Sequence, residues 1–309
     1  MFTPAYQANY MLIDGALRPN VICQLQQRGE PLEILPLYLC TGLEPVKEQG
    51  PILVHAPVGT ALITEWQQTP AQHLYASVFA SQAPLRTVAS HLRHFLQPPD
   101  HLGNSSLLRF ADPVVTYFWL SSYPQDHLDS LLGPVTDLWV KTPIHCWHPQ
   151  PDPPFTRFSH NNPPQDWDPR FALQGEPQLA AFEQACHWLF MEQLHEWLTD
   201  HHPSVFANQT GEQVQNWMEQ VLEKGRAWGL ASDYSFIAWA DICHTWGLDF
   251  MDRIEGPYQC WLKQFPEKAR MPPEVRVEAL AEYARQEQSR RINCQSDANL
   301  QLTDYPKYK

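Results

Sequence analysis

Proline is concentrated in one part of this chain, and that concentration limits how the chain can fold. The sequence has 29 prolines in 309 residues, and eight of them lie between residues 143 and 169. Proline fixes φ and has no N–H to donate, so a segment this rich in proline is a poor helix or central strand. We predict an extended connector over 143–169 that divides the chain in two. Its aromatic residues indicate packing against a surface: Trp147, Phe155, Phe158 and Trp167.

Before the connector, short apolar segments alternate with helical patterns. Alternation of this kind is typical of a sheet covered by helices, so residues 1–142 are predicted to form an α/β lobe. The predicted strands are Tyr10–Asp14, Leu32–Leu39, Ile52–Ala56, His73–Ala80, Leu107–Phe110 and Asp137–Lys141. The predicted helices are Arg18–Gln26, Thr60–Gln67, Leu85–Leu96, Pro113–Leu120 and Asp126–Leu132.

After the connector, the pattern is helical throughout. Apolar residues recur at helical spacing, so residues 170–292 are predicted to form an all-α C-terminal lobe. The predicted helices are Pro177–His201, Gly211–Trp228, Asp233–Trp246, Pro257–Phe265 and Pro272–Ile292. Residues 293–309 read as a polar tail without a clear period.

Charge and cysteine content argue against several classes of protein. The formal net charge of −13 disfavours nucleic acid as a partner, because phosphate binding needs a basic surface. The seven cysteines include no C-x-x-C pair, which suits a reducing cytoplasm better than a disulfide framework. The N-terminus has no signal-peptide pattern, and no apolar run approaches the roughly 20 residues that span a bilayer. We therefore expect a cytoplasmic protein with no membrane insertion.

Two carboxylates follow apolar segments and are the first candidates to consider as catalytic residues. Asp112 precedes Pro113, which is the order of a helix N-cap and its first residue, and Asp14 precedes Gly15 in a strand-end turn. Arg109 could form an ion pair with either carboxylate. The pattern favours structural roles for all three, with an enzyme that uses Asp14 and Asp112 as an alternative.

Motifs for metals, cofactors and nucleophiles are missing from the sequence. There is no P-loop, no G-x-G-x-x-G and no G-x-S-x-G. His145, Cys146 and His148 lie within four residues, but neighbours in an extended chain point to opposite sides. We expect no metal, no cofactor and no catalytic residue.

Tryptophan is unusually frequent in the C-terminal half. Seven of the twelve tryptophans lie between residues 188 and 261, and tryptophan dominates both cores and protein interfaces. Trp239 and Trp246 share a helix face, and with Phe250 they are our candidate anchors for a partner protein. The alternative is that this face packs against the helix at 177–201.

The order of several short motifs resembles the type VI secretion adaptor chaperones, the effector-chaperone proteins of the domain of unknown function 4123 family. The segments are YMLIDGALRP, LEILPLYL, GPILVHAP, SSLLRFADPVV and LLGPVTDLWV, which together cover about residues 10–142. The matching residues are Asp14, Gly15, Ala16, Arg109, Phe110, Asp112, Pro113, Gly133 and Pro134. A second stretch, 228–250, resembles the helical region that often follows in this family, with matches at Gly229, Asp233, Gly247, Asp249 and Phe250.

The resemblance implies a protein that binds and does not catalyse. Such an adaptor holds the N-terminal region of a toxic effector in the cytoplasm of a Gram-negative bacterium. It stabilises the effector and helps load it onto the spike protein of the secretion machine. The alternative within the same system is a structural or regulatory component without a toxin client.

Overall fold

The computed structural model describes residues 7–100, 102–150, 154–160, 167–172 and 174–302, without the side chains of Pro169, Phe171 and residues 288–302. It confirms the predicted class, a sheet with helices followed by an all-helical region. The chain divides into two compact units. The α/β unit comprises Met1–His145 and Pro149–Leu189, and the helical unit comprises Cys146–His148 and Phe190–Lys309.

Among the residues described, the sheet of the α/β unit has six strands, and each neighbouring pair runs antiparallel. The strands are β1 (Tyr10–Asp14), β2 (Glu33–Pro36), β3 (Pro51–His55), β4 (Ala76–Ser81), β5 (Val135–Lys141) and β6 (Phe155–Ser159). Their order is β2-β3-β1-β4-β5-β6, so β1 is an inner strand. All five β1 residues are buried, which explains why its sequence is almost continuously apolar.

Helices cover both faces of this sheet. They are α1 (Val21–Gln26), α2 (Ala61–Gln68), α3 (Leu85–Arg93), α4 (Pro113–Ser121) and α5 (Gln125–Leu132). Tyr10 and Leu12 belong to the core that contains buried residues of α3, α4 and α5. Met11 and Ile13 belong to the core that contains buried residues of α1 and α2. The alternation of side chains along β1 thus supplies two cores.

The remaining helices form the helical unit, with the boundary between the units falling inside α6. They are α6 (Glu176–His201), α7 (Gly211–Trp228), α8 (Asp233–Trp246), α9 (Pro257–Gln264) and α10 (Pro273–Leu302). The core includes Leu194, Val221, Trp239, Trp261 and Leu280, one residue from each of the five helices.

Where it is described, the connector is more structured than its proline content predicts. Strand β6 lies within it and pairs with β5. Phe155 packs 5.0 Å from the Trp66 ring, and Trp167 stacks 4.5 Å from the His94 ring. The expected packing of these aromatics against a surface is thus seen in the α/β unit, whereas residues 151–153 and 161–166 lie outside the described residues.

Two expected elements differ from the structure. The predicted strand Leu107–Phe110 is wrong, because these residues form an irregular segment that leads into α4. Helix α10 continues to Leu302, ten residues beyond Ile292, so much of the expected polar tail is helical. Residues 303–309 lie outside the described part of the chain.

Candidate protein-binding site

The Asp14–Gly15–Ala16 motif forms the turn that ends β1. Asp14 Oδ1 accepts hydrogen bonds from the backbone N–H groups of Ala16 (2.9 Å) and Leu17 (3.2 Å). A Cβ at Gly15 would lie only 2.1 Å from the carbonyl oxygen of Glu48. The motif therefore needs glycine for close approach of two backbones, and aspartate to satisfy the donors of the turn.

Arg109 joins this turn to the start of α4. Its Nη2 lies 2.9 Å from Asp14 Oδ2 and 3.7 Å from Asp112 Oδ2. Asp112 Oδ1 accepts from the Val114 N–H at 3.0 Å, and Pro113 occupies the first turn of the helix. The predicted cap and the predicted ion pair are both confirmed, although Arg109 lies in an irregular segment and not on a strand.

The charges of the cluster formed by Asp14, Arg109 and Asp112 favour a structural role. Both carboxylates are buried, and burial raises the pKa of Asp112 while the neighbouring Arg109 charge opposes the rise. Each oxygen of Asp14 already has a partner, Oδ1 in the turn and Oδ2 on Arg109. The turn, the helix start and Arg109 hold both carboxylates in place, and this arrangement favours a structural role over catalysis.

Gly133 and Pro134 have a comparable structural role at the end of α5. Gly133 has φ of 51°, and a Cβ there would lie 2.4 Å from the His91 ring. The His91 ring makes a 2.7 Å hydrogen bond to the Leu131 carbonyl, and Pro134 O accepts from Ser81 Oγ at 2.7 Å. Burial lowers the pKa of His91 to about 4, so the ring is neutral at neutral pH.

Gly247, Asp249 and Phe250 build the loop between α8 and α9. Gly247 ends α8 with φ of 87°, a conformation that favours glycine. The Asp249 carboxylate pairs with the Arg253 guanidinium through two contacts, one of them 2.9 Å from Nε to Oδ2. Phe250 is fully buried and anchors the loop to the helical core.

The three candidate anchors have different environments. Trp239 and Phe250 are 2% and 0% exposed, with ring centroids 5.0 Å apart. Both belong to the helical core that also contains Leu194 and Leu198 of α6. This placement favours core packing for these two, and contact with a partner through them would require the unit to open. Trp246 is partly exposed and remains our predicted anchor.

Trp246 lines an open groove of about 440 Å³ in the helical unit. The groove is lined by Thr245, Trp246, Arg253, Glu255, Pro257, Cys260, Tyr283 and Glu287. Ile254, between Arg253 and Glu255, is 95% exposed. Sequence reasoning missed both Ile254 and Tyr283. A lone isoleucine among the charged and glycine residues of MDRIEGP is the signal that could have drawn attention to Ile254.

A second groove, of about 750 Å³, lies in the α/β unit. Its lining includes Tyr10, the first residue of β1, His55, the last residue of β3, and Arg86 of α3. Glu33 Oε1 and His55 Nδ1 lie 3.0 Å apart in this groove. This groove was also not predicted from the sequence.

The connector histidines do not form a ligand cluster. Cys146 Sγ lies 3.3 Å from His195 Nδ1, and burial, with the nearby Glu192 carboxylate, raises the pKa of Cys146 to about 12. The thiol is therefore protonated and is a poor nucleophile. Within the described residues, no group of three or more His, Cys, Asp or Glu side chains could hold a metal ion. None of the described helices is long and apolar enough to cross a membrane.

Comparison with known proteins agrees with the motifs. Residues 9–130, which lie in the α/β unit, match the family described as "Domain of unknown function (DUF4123)". The chain also resembles the protein named Accessory protein VasW, from Vibrio cholerae serotype O1. The two are 25% identical over 288 residues, which covers 90% of this chain and 88% of that protein. No solved structure matches the chain.

Proposed function

We propose that this protein is an adaptor chaperone of a type VI secretion system. It binds a toxic effector in the cytoplasm, stabilises it, and helps load it onto the spike protein. It acts by binding, without catalysis and without a cofactor.

The observation that carries the proposal is the DUF4123 match over residues 9–130, which includes the Asp14–Gly15–Ala16 and Arg109–Asp112 motifs. The sequence resemblance to effector chaperones rests on these same motifs. Their polar atoms are engaged in holding the turn and the helix start together. The relative that extends over 90% of the chain bears the name of an accessory protein, which is compatible with a supporting role.

The test is a tagged pull-down from the native host, with mass spectrometry of what co-purifies. A toxin-like protein in near-stoichiometric amount, with or without the spike, supports the adaptor role and names the client. Recovery of the spike alone favours a structural or regulatory component of the machine.

Recovery of neither protein from a host that expresses its secretion system would contradict the proposal. The alternative of an enzyme is then tested with Asp14→Asn and Asp112→Asn in a substrate screen. An activity that both substitutions abolish in folded protein would establish catalysis.

A further inference from the structure

The loop 247–256 has an exposed segment, residues 252–255, and its backbone is held by hydrogen bonds. Three successive turns hold its backbone, with N–H to carbonyl bonds from Phe250 to Gly247, from Asp252 to Asp249 and from Gly256 to Arg253 (3.2, 3.0 and 2.9 Å). The Asp249–Arg253 ion pair braces the outside of the loop. Ordering this loop before binding lowers the entropy lost when a partner docks.

Ile254 lies at the most exposed point of this loop. It is the most exposed of the large apolar side chains that the structure describes. The next residue, Glu255, has φ of 60°, which residues other than glycine adopt only a few per cent of the time. A rare conformation beside a fully exposed isoleucine, on a braced loop, points to a role in recognition.

The groove next to Ile254 supplies an aromatic wall. The rings of Trp246 and Tyr283 lie 6.3 Å apart, and Pro257 and Cys260 complete the apolar part of the lining. Tryptophan and tyrosine are the residues that most often dominate binding energy at interfaces. Ile254 lies between Arg253 and Glu255, two residues that line the groove, so its exposed side chain is adjacent in sequence to the groove lining.

The charges of the groove select a basic partner. Arg253 is neutralised by Asp249, whereas the Glu255 carboxylate forms no ion pair with any residue that the structure describes. The net charge of the whole chain, −13, has the same sign.

We infer that Ile254 and the Trp246–Tyr283 groove dock an apolar segment of the effector that carries lysine or arginine side chains. Ile254 contacts the apolar residues of that segment, and Glu255 pairs with a basic one. This inference rests on the proposed function, because it assigns a surface to the same client.

The test measures the affinity of each variant for one probe. The probe is the purified effector that co-purifies with the wild-type protein. Ile254→Asp places a charge at the apolar contact, and Val58→Asp is its matched control at another exposed β-branched residue (61% exposed) in the α/β unit. Glu255→Lys reverses the groove charge, and Glu48→Lys is its control at an exposed position in the α/β unit. We expect about tenfold or greater loss of affinity for the two groove variants and less than about twofold for the controls.

A second experiment places a photo-crosslinking amino acid at position 254 or at position 58 in the native host. The expected result is a crosslink from 254, but not from 58, to an effector peptide with apolar and basic residues. The inference is overturned if both groove variants bind the effector with wild-type affinity, or if position 254 crosslinks only to the spike. In either case the adaptor role itself still stands, whereas a wild-type protein that retains no effector defeats both proposals.

Discussion

Arg109 connects two segments that are 95 residues apart in the sequence, through its bond to Asp14. Removing the guanidinium leaves two buried carboxylates without their cation. For Arg109→Ala we expect the free energy of unfolding to fall by roughly 1–3 kcal/mol. This loss is smaller than for a fully buried ion pair, because the arginine side chain is 45% exposed. Denaturant unfolding measures the change, with the exposed Arg86→Ala as the control.

A double-mutant cycle separates the contribution of the Asp14–Arg109 ion pair to stability from the other effects of each substitution. Asp14→Asn and Arg109→Ala together are predicted to cost less than the sum of the single changes, since each removes the same contact. Additive effects would show that the Asp14–Arg109 contact does not contribute to stability.

Gly15 is predicted to be more sensitive to substitution by alanine than Gly42. Ala at Gly15 places a Cβ against the backbone of Glu48, and relieving that contact requires the turn to move. Gly15→Ala should cost about 1–3 kcal/mol or more of unfolding free energy, as overpacking does. Gly42→Ala is the matched control, because nothing lies within 4 Å of a Cβ there. Equal stability of the two variants would be inconsistent with the close approach.

For single residues, the sequence predicts local roles better than contacts between segments that are far apart in the chain. The cap at Asp112 follows from the Asp-Pro order alone, because both residue types have local preferences at a helix start. The approach of Glu48 to Gly15 depends on how distant segments pack, and no local pattern in the sequence encodes it. For Ile254 the sequence offers only an indirect local signal, a single isoleucine among charged and glycine residues.

Among the helices, the start of α10 is bound to the start of α8 through Glu274. Its carboxylate accepts from the N–H groups of Ala231 (2.6 Å) and Ser232 (3.0 Å) and from the hydroxyls of Ser232 and Ser235. These hydrogen bonds, with that of the Ser232 side chain the largest contribution, lower the pKa of Glu274 from 4.5 to about 2. The ionised carboxylate thus links the two helices.

The lowered pKa of Glu274 predicts how stability depends on pH. The folded-state pKa lies below the unfolded value, so the stabilisation is complete above about pH 4.5 and is lost as pH falls towards 2. Glu274→Gln should lower the melting temperature at pH 7. The difference in melting temperature between this variant and the wild type should become smaller as the pH falls from 4.5 to 2. The exposed Glu278→Gln serves as the control. A gap between Glu274→Gln and wild type that stays constant with pH would contradict this role.

Elements with strong periodic patterns and clear caps were the most predictable. The bounds of β1, α7 and α8 match the sequence predictions residue for residue. The strand predicted at Leu107–Phe110 fails because a short apolar run does not distinguish a strand from an irregular buried segment. The sequence analysis did not predict strand β6, because it gave the high proline content of the connector more weight than the short segment FTRFS. Strand β6 lies at the edge of the sheet, where prolines are tolerated.

For the whole molecule, net charge is the property most relevant to encounter with the proposed client. A chain of net charge −13 attracts a basic protein, and salt screens this attraction beyond about 8–10 Å at 0.1–0.15 M. We predict that the association rate falls as ionic strength rises, while the dissociation rate changes less. Stopped-flow measurement at several salt concentrations checks this, and a constant association rate would rule out electrostatic steering.

The proline-rich segment separates two kinds of periodicity in the sequence, whereas the structure places the boundary between its two compact units inside α6. The antiparallel strand order and the assignment of Cys146–His148 to the helical unit could not be predicted from the sequence. Both depend on pairings between residues far apart in the chain, which hydrophobic periodicity does not specify.

The most direct test of the adaptor role is effector export in a host from which this chain has been deleted. We predict that the co-purifying effector disappears from the culture fluid and falls in abundance inside the cell, while the spike protein is still released. Expression of the wild-type chain should restore export. Undiminished export of the effector by the deletion strain would contradict the account.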